Sequence, residues 1–94
     1  MVSTIYHHIQ INDQQVPMIA NTTMKLVELI ASQQAYGWSP EELHFQYPHL
    51  SMSQIYSALA YYWDFKAEMD ADIQRRFAQA EDLRRNAVPL NLSR

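Results

Sequence analysis

No cysteine occurs among the 94 residues, which excludes disulfides, thiolate zinc sites and a cysteine nucleophile together. Glycine occurs once, at Gly37, and proline four times, so the chain is neither linker-like nor of low complexity. No stretch approaches the roughly 18 consecutive apolar residues of a membrane span, and Met1-Val2-Ser3-Thr4 opens no signal-type segment. A soluble, cytoplasmic protein without membrane contact is expected. Basic side chains are scarce and unevenly placed: Lys25 is the only one between Met1 and Phe65. The net charge of −3 argues against a general nucleic-acid binder, because that affinity comes from cations neutralising phosphates. Nucleophile elbow, P-loop, dinucleotide fingerprint and metalloprotease motif are all absent, so neither an enzyme nor a cofactor is expected.

What is present is apolar and helical. Hydrophobic residues make up 48% of the chain, enough for one domain with a single core. The organising stretch runs from Gly37 to Asp64. Ser39-Pro40-Glu41-Glu42 places an acceptor at the N-cap, proline at the first helical position and a carboxylate at the third, forming a capping box. Tyr47-Pro48 ends that short helix, and Ser51-Met52-Ser53-Gln54 supplies a second capping box. The second helix of the pair carries Met52, Ile55, Leu59, Tyr62 and Trp63 as a broad apolar stripe, with Gln54, Ser57, Tyr61 and Asp64 opposite.

Upstream, Tyr6 to Ile19 reads as a β-hairpin turning at Asn12-Asp13, with the Pro17-bearing strand at an edge. Asn21-Thr22-Thr23 offers caps for a helix over Met24 to Gln34 that Gly37 terminates. The helix over about 40–46 buries Leu43 together with Phe45 or Tyr47. Downstream, Asp64 either caps a new helix or is passed straight through. Phe65, Met69, Ile73, Phe77, Ala80 and Leu83 recur every three or four residues, an amphipathic helix to about Asn86 that Pro89 closes. Its early acids and late arginines suit the helix dipole, with Asp72–Arg76 and Glu81–Arg85 as i,i+4 pairs. The expected fold is therefore α+β and mostly α: a hairpin over about 6–19, helices over about 24–34, 40–46, 52–64 and 65–86, and a loose tail over 87–94.

Leu26-Val27-Glu28-Leu29, Ser39-Pro40-Glu41-Glu42-Leu43, Tyr47-Pro48-His49-Leu50-Ser51 and Ala58-Leu59-Ala60-Tyr61-Tyr62, preceded by Val16-Pro17-Met18-Ile19, resemble the DUF433 family of small prokaryotic proteins. The resemblance covers about residues 6–73. It implies a β-hairpin followed by a homeodomain-like three-helix unit. Because some members are proposed VapB-type antitoxins, it also implies a toxin partner or operator DNA. Asn21-Thr22-Thr23 stands where the family often has Gly-Thr-Arg. Gln33-Gln34-Ala35-Tyr36 is longer than the usual connection, and the arginine-bearing helix extends past the common core.

Three surfaces are candidates. In a helix–turn–helix, Ser53, Gln54, Tyr56 and Ser57 would face base edges, with Gln54 suited to adenine; the alternative is an ordinary trihelical packing unit. The aromatic run and the stripe behind it, Tyr61, Trp63, Phe65, Met69, Ile73 and Phe77, form either an interface or a larger core closed by the last helix. Arg75, Arg76, Arg84 and Arg85 form a basic patch for phosphates or an acidic partner, or a solvated face balanced by nearby acids. A homodimer is expected through the hairpin edge, the aromatic run or the last helix; a structural homodimer without a nucleic-acid role is the alternative function. His7 and His8, adjacent on a strand, would point to opposite faces, and His44 with His49 lacks a third ligand, so no metal is expected.

Overall fold

The computed structural model describes the backbone of residues 2–3 and 6–92 and the side chains of residues 6–85. Three short strands, β1 (Val2–Ser3), β2 (Ile9–Ile11) and β3 (Pro17–Ile19), precede four helices, α1 (Leu26–Tyr36), α2 (Pro40–Gln46), α3 (Met52–Asp64) and α4 (Lys66–Leu92). The fold is α+β and mostly α, as the patterning predicts. The sheet is antiparallel in the order β1-β2-β3, so the expected hairpin gains a third strand. That strand is two residues long, below the length at which alternation is visible in sequence. β3 is an edge, where Pro17 withholds its missing N–H from no neighbour. Asn12 shapes the hairpin turn: its Oδ1 accepts from the N–H groups of Gln14 and Val16, both at 2.9 Å, an Asx-type turn.

Caps decide the helices. The Ser39 and Ser51 boxes form as predicted: Glu42 N donates to Ser39 Oγ and Ser39 N to Glu42 Oε1, and Ser51 and Gln54 repeat the exchange. α1 starts two residues later than expected. Lys25 is its N-cap, and its backbone N–H donates to Glu28 Oε1 at 3.0 Å, while the Thr22 hydroxyl is spent on the loop, accepting from Met24 N. Gly37 ends α1 in the left-handed region (φ 65, ψ 30), its N–H reaching the Gln33 carbonyl, the glycine-specific stop.

α1, α2 and α3 form a trihelical head with β2 and β3 laid across it. Ile9, Ile19, Leu26, Leu29, Ile30, Leu43, Leu50 and Ile55 are its fully buried side chains, each contributing about 1.5–3 kcal/mol by transfer from water. Tyr47 packs against this core and Phe45 is exposed, which settles the choice left open in α2. On α3 the buried stripe is Ile55, Ala58 and Tyr62. Trp63 was expected on that stripe and is 65% exposed, because Tyr62 already occupies the inward position and the next residue turns ~100° away. The backbone breaks at Phe65 (φ −121, ψ 39), so a new helix does begin after Asp64. α4 then runs 27 residues, past Pro89, against the expected stop there and the loose tail from 87. Pro89 lies in the last turn of α4, where it removes one ladder N–H and crowds the carbonyl four residues before it.

Candidate interaction surface

A polar clasp fixes how α4 leaves the head. Tyr62 on α3 donates its hydroxyl to Asp70 Oδ1 at 2.9 Å and accepts from Gln34 Nε2 of α1 at 2.8 Å. Gln34 Nε2 also reaches Asp70 Oδ1 at 3.2 Å, and Lys66 Nζ bonds Asp70 Oδ2 at 2.8 Å. Hydrogen bonds from Lys66, Tyr62 and Gln34 hold the Asp70 carboxyl below its ordinary pKa. Burial, then the bond to Asp70, raises that of Tyr62. Beside the clasp, Tyr6 donates to Asp64 Oδ2 at 2.5 Å and meets Tyr61 edge-on with ring centroids 5.1 Å apart. Tyr61 in turn lies 4.6 Å from the Phe65 ring.

α1 and α3 thus grip the first two turns of α4, and the rest projects. Met69 is buried and Ile73 packs against the core, but Phe77 is 63% and Leu83 71% exposed. The stripe continues after its cover ends. A groove of about 240 Å³ opens between α1 and α4 at that point, floored by Val27, Ala31, Ile73 and Phe77 and rimmed by Glu28 and Arg76. The molecule measures 52 × 29 × 24 Å with a radius of gyration of 15.5 Å, against about 12 Å for a compact domain of this length.

The aromatic and stripe residues therefore divide. Met69 is consumed inside the molecule and leaves the predicted interface, and Tyr61 is half-buried against Tyr6 and Phe65; Trp63, Phe65 and Phe77 remain accessible, with Ile73 in the groove wall. Sequence reasoning placed Leu83 on the stripe but not at an interface, and missed the α1 contribution, Val27 and Ala31. It also missed the clasp, whose only linear trace is the i,i+4 pair Lys66–Asp70.

A family model described as "protein of unknown function (DUF433)" matches residues 14–62, from the hairpin turn to the Tyr62 of the clasp. The chain belongs to the DUF433 family. No curated protein and no solved structure matches it. The DUF433 match spans β3 and the trihelical head, and α4 lies outside it.

On the DUF433 head, the helix–turn–helix candidates are not free to act together. Ser53 and Tyr56 are exposed and Ser57 half-buried. Gln54 is committed: its Oε1 accepts from Ser51 N and its Nε2 donates to the Ala20 carbonyl at 3.1 Å, which removes the bidentate amide adenine needs. The arginines are paired along α4: Arg75 and Arg76 with Asp72 at 2.6 and 3.2 Å, Arg84 with Glu81 at 2.5 Å and Arg85 with Asp82 at 2.6 Å. The expected Glu81–Arg85 pair gives way to these two i,i+3 contacts. His7 and His8 lie in a turn, His8 at φ 68, with their rings 4.9 Å apart, so the opposite-faces reading fails. His44 Nδ1 instead sits 2.7 Å from the Leu50 carbonyl oxygen. Among the described residues no group of three or more His, Asp or Glu is placed to hold a metal ion, and no helix is long and apolar enough to cross a membrane.

Proposed function

We propose that this DUF433 protein is a non-enzymatic interaction module, a rigid trihelical head that presents a helical arm to a protein partner in the manner of an antitoxin. The observation that carries the reading is the exposure of Phe77 and Leu83 on a helix whose preceding stripe residues, Met69 and Ile73, pack into the head. A stripe of one amphipathic helix is covered for two turns and then offered to whatever binds next, the helix-in-groove mode of recognition. Operator DNA draws less support, since Gln54 is spent internally, Lys25 is the only cation before Lys66, and the α4 arginines are neutralised along their own helix. Affinity co-purification from the native cell compares the wild type with the Phe77→Glu/Leu83→Glu double variant. A stoichiometric protein partner retained by the first and lost by the second is expected; equal retention by both refutes the arm as the binding element. A gel shift with the upstream DNA across a salt series is expected to be blank.

A further inference from the structure

Resting on the reading of a protein-binding module but not on the exposed stripe of the arm, we infer that a second depression, on the other flank of α4, receives an arginine side chain of the partner. It opens where the hairpin, the end of α3 and the first turns of α4 meet, and holds about 270 Å³. Pockets for drug-sized ligands begin at roughly 300 Å³, so this one is sized for a side chain. Its apolar walls are Pro17, Tyr61, Phe65 and Met69. The Tyr61 and Phe65 rings touch each other, and Tyr6 stands edge-on to both. Aromatic rings beside a carboxylate are the surroundings a guanidinium takes, since it stacks on ring faces and forks onto carboxylate oxygens.

The charge that calls for a cation is one the chain has not already spent. Three charged residues line the depression, Glu68, Asp72 and Arg75. Both Asp72 oxygens are taken, Oδ1 by Arg75 Nη2 at 2.6 Å and Oδ2 by Arg76 Nε at 3.2 Å. Glu68 is left over. It is exposed, and among the described residues its carboxylate has no hydrogen bond and no ion pair. That carboxylate borders the same space as the Tyr61 hydroxyl, whose pKa is raised first by burial and then by Glu68. The Tyr61 hydroxyl likewise has no hydrogen-bond partner among the described residues. A guanidinium laid against Tyr61 and Phe65 therefore finds two unused acceptors, the Glu68 carboxylate and the Tyr61 oxygen. Lysine, a compact and strongly hydrated charge, has neither the plane nor the fork.

Amide chemical shifts of the full chain are followed while N-acetyl-arginine amide is titrated in, with the equivalent lysine and glutamine amides as comparisons. Saturable shifts confined to Gln15, Tyr61 and residues 65–75 are expected for arginine, several-fold weaker binding for lysine and none for glutamine. Glu68→Gln should weaken arginine binding about tenfold, the loss of one hydrogen bond to a charged group, with helical circular dichroism unchanged because Glu68 is exposed. Tyr61→Leu should weaken it about threefold, the worth of a cation–π contact at an exposed site. No saturable shift with arginine, binding of lysine or glutamine as tight as arginine, or a Glu68→Gln variant that binds like the wild type overturns the site. The arm is judged separately by the Phe77→Glu/Leu83→Glu comparison, so a partner lost there without arginine binding here removes this pocket and leaves the module standing.

Discussion

Replacing Tyr62 by Phe isolates the clasp that sets the arm. The ring is buried and stays; only the hydroxyl goes. Its two hydrogen bonds, to Asp70 at 2.9 Å and from Gln34 at 2.8 Å, are lost. Neither partner is orphaned, since Gln34 keeps its 3.2 Å contact with Asp70 and Asp70 keeps Lys66 at 2.8 Å. The cost therefore falls at about 1–2 kcal/mol, without the larger penalty of a stranded buried group. For a chain of this size that lowers Tm by about 4–15 °C. Urea unfolding followed by circular dichroism measures it, as a lowered midpoint at constant slope. In a double-mutant cycle with Asp70→Ala, which takes away the acceptor, the two losses should be non-additive, because they remove the same bond. A Tyr62→Phe midpoint indistinguishable from the wild type, or full additivity in the cycle, would refute the clasp.

Gly37→Ala should destabilise by about 1 kcal/mol from the left-handed backbone alone, because an added Cβ there meets no atom within 4 Å; Gly37→Asn should cost less, and equal costs in thermal melts would deny the left-handed stop. Leu29→Ala, at a fully buried position, should cost about 2–5 kcal/mol in the same urea assay, and a loss under 1 kcal/mol would place Leu29 outside the core. The depressed pKa of Asp70 means that the folded state favours its ionised form. Its contribution is fully present above the ordinary carboxylate range and is lost as pH falls through the depressed value. Asp70→Asn should flatten that acid limb in melts recorded against pH, and an unchanged limb would remove Asp70 as its source.

Local chemistry made the head legible before any coordinates. Ser39-Pro40-Glu41-Glu42 and Ser51-Met52-Ser53-Gln54 each hold an acceptor and its reciprocal partner within four residues, so the limits of α2 and α3 follow from short-range bonding alone. Gly37 was legible for the same reason. Trp63 was not: its spacing fits the stripe, but only the packing of Tyr62 against α1 and α4 decides which ring turns inward. Thr22 misled because a hydroxyl near a helix start serves equally in a loop, and the choice depends on the Ile19 and Met24 backbone. Of the candidate surface, the stripe was visible as a period and the arginines as a cluster. The groove needs α1 beside α4, and the neutralisation of the arginines needs side-chain rotamers; neither is written in spacing. Gln54 serves its cap as predicted and also reaches the Ala20 carbonyl, 34 residues away, a contact no local pattern announces.

The arm's standing clear of the head is tested most directly by small-angle X-ray scattering on Leu83→Glu as a monomer. An elongated particle with a radius of gyration at or slightly above 15.5 Å and a longest dimension near 52 Å is predicted. A value near about 12 Å, that of a compact domain of 94 residues, would mean that α4 folds back over its own stripe and would contradict the interaction surface.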